Sequence, residues 1–321
     1  MEYSEGEIGV PDIDQAGDAF RITTAPLDEA LLHSIGRIGL LNRPLLIPRK
    51  GRFTVVCGFR RIAALKTLGR KRIHARLLPE ETPDRRCLEI AIADNGSQRL
   101  LNVIEMARAV HGLSLFCGPE ERDTAISAAL NLGPNAGMLK KLRAIHTLPE
   151  WMKNAILNGR LDFAVASEIS AFDHGDLRAM TVYFNTLNLS LSKQREFVTL
   201  VTEISKREAI SVQGILDEPA LKAILDDPEM EGNQKGGKIR SFLKKRRYPI
   251  LVQAEERYAG LVRNLKLAPD TSLSPPKDFE GSTFSLTLRF NSIEALAEKR
   301  RDVDRLIENP VFEEVINKRF Y

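Results

Sequence analysis

Aromatic residues are scarce in this 321-residue chain: 6% of it, with a single Trp. Strand-rich sandwiches lean on aromatic and β-branched side chains, so the scarcity argues against an all-β fold and for a helix-rich one. Cysteine is scarcer still, at positions 57, 87 and 117 with no Cys-x-x-Cys pair. An odd, widely spaced set excludes a disulfide scaffold and a zinc ribbon and implies a reducing cytoplasm. No apolar run approaches the ~20 residues of a membrane span, so no membrane partner is expected. The N-terminus, MEYSEGEIGVPDIDQAGDAF, is acidic and lacks the apolar core of a signal peptide. There is no P-loop, no Gly-x-Ser-x-Gly and no His-Glu-x-x-His. Asp162, Glu168, Asp173 and His174 share no metal-ligand spacing, and His33, His74, His111 and His146 are scattered. No carboxylate cluster suits the metal pair of a nuclease, and no segment repeats.

What the chain does have is charge, unevenly placed. The net charge is only +4. Yet residues 37–86 hold fourteen Lys or Arg against three acids, while residues 1–36 hold eight acids and one Arg. A basic block beside an acidic one suggests an anion site with the acidic segment competing for it; the other reading is a solvated charged surface.

Punctuation and period give the organisation. Residues 1–19 read as a flexible acidic tail. Residues 20–95 read as an α+β domain: strand FRITTAP, helix LDEALLHSIGRIG, strands PLLIP and FTVVC around Arg49-Lys50-Gly51, helix RRIAALKTLG and strand RIHARLLP. Residues 96–225 read as all-helical, with a break near Asn95-Gly96 and others at Asn158-Gly159 and His174-Gly175. Residues 226–248 read as a linker with a basic end, and residues 249–321 as a small βα unit. In that unit the strand TFSLTLRF has no second strong strand nearby. A lone strand leaves two open edges, so it must pair elsewhere in the chain or with its copy in a homodimer.

Three features carry candidate chemistry. Cys57-Gly58-Phe59-Arg60-Arg61 joins a strand directly to a helix. Gly58 permits the tight turn, the free N–H groups of the helix start favour a phosphate, and Arg60 and Arg61 add fork-shaped donors. Residues 119–147 read as helix–turn–helix. Ala125, Ile126, Ala129 and Leu130 form the inner face of the first helix, Gly133 permits the turn, and Leu139, Leu142 and Ile145 line the second. Asn135, Met138, Lys140 and Lys141 then point into a DNA major groove, or the hairpin touches no DNA. Lys244, Lys245, Arg246 and Arg247 are either a sequence-independent DNA contact or a solvated linker end.

The order of these features resembles the ParB-type chromosome and plasmid partition proteins. Ser34-Ile35, Gly39 and Pro44 match a first family segment. Gly58, Arg60, Arg61, Ala63, Ala64, Leu68 and Gly69 match a second. The run from Asp94-Asn95 through Arg99 and Asn102 to Glu105 matches a third. Leu148-Pro149 and NGRLDFAVASEIS continue the likeness, which covers about residues 20–215. The resemblance implies a ParB/sulfiredoxin-like α/β N-terminal domain, a helix–turn–helix middle domain, and a dimerising βα C-terminal domain. It implies CTP and Mg as ligands, with Gly39, Pro44, Gly58, Arg60, Arg61, Asn95 and Arg99 at the nucleotide and Asp94 and Asn95 at the metal. It further implies DNA and a partition ATPase as partners, clamp closure by a homodimer, and a nucleoid-associated place in the cytoplasm. Two positions depart from the pattern. Phe59 stands where the family has Glu, which puts hydrolysis in question. Gln98 stands where it has Arg, with Arg99 one residue late, about 100° around a helix. In sulfiredoxins the Phe59 position is a reactive Cys; here Cys57 lies two residues earlier and reads as a small core residue.

Overall fold

The computed structural model describes residues 3–14, 17–118, 122–133, 135–317 and 320. The chain is mostly helical with a small mixed sheet, and it divides into two units, residues 1–185 and 186–321.

The first unit opens with β1 (Ser4–Gly9) and a single helical turn at Val10–Asp12. There follow α1 (Glu29–Ile38), β2 (Leu45–Arg49), β3 (Arg52–Cys57), α2 (Phe59–Thr67), β4 (Arg72–Leu77) and α3 (Asp84–Gln98). The sheet order is β1-β4-β2-β3, with β2 parallel to β4 and the other pairs antiparallel. Lys50 and Gly51 take φ of 51° and 76° at the β2–β3 turn. Positive φ at both central residues is what a two-residue hairpin following the strand twist requires. One sheet face buries Ile8, Leu46, Val55, Ile73 and Ala75 against Ile35 of α1 and Ile62 and Leu65 of α2. Six helices continue the unit: α4 (Val103–Ser114), α5 (Arg122–Ala129), α6 (Ala136–His146), α7 (Glu150–Leu157), α8 (Phe163–Glu168) and α9 (His174–Thr186). Val110 and Leu113 of α4 are buried, as are Leu139, Leu142 and Ile145 of α6.

Three expectations for this unit change. The acidic N-terminus is not a tail: six of its residues form β1, paired in register with β4 from Ser4–Leu77 to Gly9–Arg72. Ile8 and Ile13 anchor it in the core, and Glu5 and Glu7 pair with Arg43 and Arg72. Among the described residues FRITTAP pairs with no strand; Phe20 and Ile22 are buried from an irregular segment. The break expected at Asn95-Gly96 is absent, because α3 runs through to Gln98 and the chain turns at Arg99 instead. A helical Gly costs only about 1 kcal/mol, which packing overrides. A domain boundary at 95/96 would therefore cut a helix. Pro119, Glu120, Glu121 and Pro134, at the start and turn of the expected helix–turn–helix, lie outside the described residues.

The second unit comprises α10 (Leu191–Glu208), α11 (Val212–Leu216), α12 (Pro219–Asp226), α13 (Gly232–Arg247), α14 (Pro249–Asn264), β5 (Thr271–Ser274), β6 (Ser285–Leu288), α15 (Ile293–Ile307) and α16 (Pro310–Asn317). Most of the expected linker is thus helix. A capping box between Glu231 and Gln234 starts α13, and Ile239 and Leu243, one turn apart, are buried. These signals outweigh the low helix propensity of its glycine-rich beginning. The expected lone strand has a partner in its own chain: β6 pairs antiparallel with β5, Thr271 opposite Leu288 and Ser274 opposite Ser285. Phe284 and Leu286 pack against a core of Ala254, Tyr258, Leu273, Leu306 and Val315, while Phe290 is exposed. The Tyr258 hydroxyl donates to the Leu273 carbonyl at 2.7 Å, and burial pushes its pKa up to about 12.

Candidate functional site

The cleft begins where β3 ends. Gly58 sits at φ 93°, and a Cβ there would lie 3.0 Å from Pro44 Cβ and 3.2 Å from Arg61 Nε. Only glycine allows this turn, so Pro44 acts by walling the glycine rather than by lining the opening. No side chain caps α2. The N–H groups of its first turn therefore remain open toward an anion.

The opening is a cleft of about 310 Å³ whose lining includes Gly39, Gly58, Phe59, Arg60, Arg61, Asp94, Asn95 and Arg99. Three segments far apart in sequence meet here. α1 contributes Leu31, Ser34 and Ile35, and ends at Gly39, whose φ is 80°. α2 contributes Phe59 and the two arginines, and the end of α3 contributes Asp94, Asn95, Gln98 and Arg99.

Each arginine already has partners. Arg60 Nε donates to the Pro26 carbonyl at 2.9 Å and its guanidinium pairs with Asp28, the residue that caps α1. Arg61, with its side chain only 17% exposed, donates to the Asn42 carbonyl at 2.9 Å and lies 3.6 Å from Asp94. Arg99 holds both oxygens of Glu105 at 2.6 Å. Glu105 is fully buried and also accepts from the N–H groups of Thr24 at 2.9 Å and Asn102 at 3.1 Å. Burial alone would raise its pKa, but the Arg99 and backbone donors outweigh burial and hold it below the usual carboxylate value. Because Arg99 lies just beyond the helix, at an extended φ of −164°, the expected 100° helical rotation does not apply, and it lines the cleft.

The donor chemistry fits a phosphate group and in part a hard cation. Asn95 spends its Nδ2 on the Ala91 carbonyl at 2.8 Å, which leaves its oxygen, beside the Asp94 carboxylate, as the hard donors facing the cleft. Among the described residues no three His, Cys, Asp or Glu cluster to hold a metal alone, so a bound Mg would need oxygens from its ligand. Cys57 is buried, and burial with the nearby Asp94 carboxylate pushes its pKa up to about 12, so it is an inert thiol.

The other site residues fall elsewhere. Asn135 is the N-cap of α6, its side chain accepting from the Met138 N–H at 3.0 Å. Lys140 is exposed; Lys141 is half-buried, its ammonium 6.0 Å from the centre of the Phe163 ring. The basic run at the end of α13 is not a free patch. Lys244 meets Glu255 at 2.7 Å, Lys245 meets Glu256 at 3.8 Å, Arg247 meets Glu203 at 2.7 Å, and Arg246 lies between Glu208 at 2.6 Å and Glu218 at 2.7 Å. Sequence reasoning missed these acids, and it missed Thr24 as a partner of Glu105 and Asp28 as a partner of Arg60. The Asn102–Glu105 spacing, an N-cap followed three residues on by Glu, was the one local signal for the buried network.

No protein-family model matches the chain, and no curated protein matches it in sequence. Among solved structures, C-terminally truncated chromosome-partitioning protein ParB from Caulobacter crescentus, complexed with CTP-gamma-S, is similar at 24% identity. That match covers 57% of this chain and 99% of that one, with a TM-score of 0.27. The same truncated protein complexed to the centromeric parS site is 20% identical over 59% of this chain and 96% of that one, at a TM-score of 0.34. A Pnob8-like ParB-N domain is 12% identical over 62% and 90%, at 0.39. Superpositions this loose carry no weight for function.

Proposed function

We propose that this chain is a ParB-like DNA-binding protein of plasmid or chromosome partition. In this reading a nucleoside triphosphate, CTP with Mg by the resemblance, enters the cleft and gates closure of a homodimer around DNA. The reading is supported by the convergence of the three sequence boxes on one cleft. Gly39, Gly58, Arg60, Arg61, Asp94, Asn95 and Arg99 line one opening beside an uncapped helix start. In this function the phosphates lie over Gly58 and the first turn of α2, exchanging Asp28 and Asp94 for phosphate oxygens on Arg60 and Arg61. Asp94 and Asn95 would hold Mg together with phosphate oxygens. α6 would read bases through Lys140, with Asn135 setting the helix start. A partition ATPase is a further proposed partner, and the nucleoid the proposed place. Hydrolysis is weak or absent, because Phe59 brings no polar atom to the phosphates.

The test is calorimetry with CTP, ATP, GTP and UTP in the presence of Mg, with and without DNA. Micromolar binding of one triphosphate is expected, and no heat with any of them at millimolar concentration overturns the nucleotide reading. A second reading is a helix–turn–helix regulator whose nucleotide fold is vestigial. It is favoured by the internal pairing of all three cleft arginines, and it predicts DNA binding with no nucleotide response. A metal-dependent nicking assay separates both from a ParB-fold nuclease.

A further inference from the structure

We propose that the sheet face under α3 carries a second anion site, built around Arg76, that takes a small carboxylate with an apolar body. The site lies outside the triphosphate cleft and stands or falls independently of that reading.

Arg76 follows Ala75 on β4, and Ala75 is buried against α1 and α2, so strand alternation turns Arg76 to the opposite face of the sheet. Its neighbour across the β1–β4 pair is Glu5, a carboxylate that pairs with Arg43 instead. Among the described residues none forms an ion pair with Arg76, and its Nε is shielded from solvent with no acceptor. The Tyr3 ring lies under the guanidinium, 5.1 Å from its centre to Cζ. That contact uses the face of the cation and leaves its edge, where the N–H donors are. Buried donors and charges are stable when paired, and here the protein supplies no acceptor.

Arg76 lines a cavity of about 390 Å³, inside the about 300–1,000 Å³ of small-ligand sites. Leu45, Cys57, Ile90 and Ala93 give it apolar walls. The carboxylates at this cavity are already matched. Glu89 meets Arg85 and Arg86, each at 3.1 Å, and Asp94 meets Arg61 at 3.6 Å. The charge left over among the described residues is that of Arg76. Asp94 is the one described residue that lines both this cavity and the cleft.

These features set the ligand class. A guanidinium edge holds both oxygens of a carboxylate in its own plane. The apolar walls favour a ligand whose remainder is hydrocarbon. Inorganic phosphate, polar on every side, would turn unpaired oxygens to those walls.

The arginine Nε–Hε resonances of the full chain report occupancy, that of Arg76 being identified by its loss in Arg76→Gln and in Arg76→Lys. Benzoate and butyrate are the probes, and benzamide and inorganic phosphate the controls. Benzoate is expected to shift the Arg76 signal saturably, with a Kd below about 1 mM, and both controls to leave it in place. By calorimetry Arg76→Gln should weaken benzoate about tenfold or more. Arg76→Lys, which keeps the charge and loses the fork, should fall between. Arg72→Gln, the same charge change at an exposed position of β4, should match wild type. No saturable shift at about 10 mM benzoate, or a shift at Arg60 or Arg61 in place of Arg76, overturns the site. Phosphate that binds as tightly as benzoate overturns the ligand class. An Arg76 signal that moves in Glu5→Gln without any ligand makes Glu5 the occupant and overturns the proposal as well.

Discussion

Two arginine-rich segments of this molecule look alike in sequence and do different work. Arg60-Arg61 opens α2, and Arg246-Arg247 closes α13. At α13 the four cations meet five carboxylates, from Glu203, Glu208, Glu218, Glu255 and Glu256, so the charge is consumed in tying α13 to α10, to Glu218 and to α14. At α2 each arginine has one acid, and beside them lie a cleft and an uncapped helix start. A phosphate offered to α2 finds backbone N–H donors in addition to side chains; offered to α13, it finds side chains alone, each beside a carboxylate. Cation density alone therefore does not locate an anion site. The balance of partners does.

The sharpest break in this comparison is Arg246→Ala. It leaves two partly buried carboxylates facing each other and should lower stability by about 2–3 kcal/mol, the cost of removing hydrogen bonds to charged groups. Urea unfolding measures it, and the salt dependence of DNA binding should not change. Arg61→Ala should lower triphosphate affinity tenfold to a hundredfold by calorimetry, with a smaller loss of stability than Arg246→Ala because one carboxylate, Asp94, rather than two loses its partner. If Arg61→Ala destabilises as much as Arg246→Ala, both segments are staples and the vestigial reading gains.

Lys140→Ala against Lys245→Ala extends the test to DNA. The first should cost about 1–3 kcal/mol on a specific site if it reads a base, and the second nothing on any DNA, by fluorescence anisotropy. Equal losses would remove the recognition role of α6.

Acid should distinguish the segments too. The Arg246 and Arg207 bonds depress the Glu208 pKa from 4.5 to about 2. A carboxyl depressed on folding contributes stability that is present above its unfolded pKa and is lost as pH falls through the folded one. Stability should therefore decline between about pH 5 and 2, and Arg246→Ala should flatten that decline in chemical unfolding series across this range. The smallest effect is expected from Phe59→Glu: wild type turns CTP over at background rate, and the variant gains a slow, Mg-dependent phosphate release. Fast multiple turnover by wild type refutes the inference drawn from Phe59.

Much of the first unit was legible locally. PLLIP, FTVVC and RIHARLLP are β-branched or aliphatic runs bounded by Gly and Pro, and they are the strands β2, β3 and β4. β1 was not legible, because SEGEIG offers one buried apolar residue, and its strand character comes from a partner more than sixty residues away. α13 was missed for the opposite reason: its glycines argue for a linker locally, while the burial of Ile239 and Leu243 decides the matter at a distance.

The sequence by itself determined the chemistry available to the cleft: a glycine that can take positive φ, paired arginines at a helix start, an adjacent carboxylate and amide. These follow from local geometry and residue type. Only the tertiary structure decided which charges stay available. Arg99 reaches the cleft because α3 stops at Gln98, and Glu105 then holds it. The basic run of α13 is neutralised by acids up to forty-four residues away, and β6 is satisfied by β5 across a loop. Charge pairing and strand pairing act through space at a few ångströms, and no local pattern records which distant segment folding brings there.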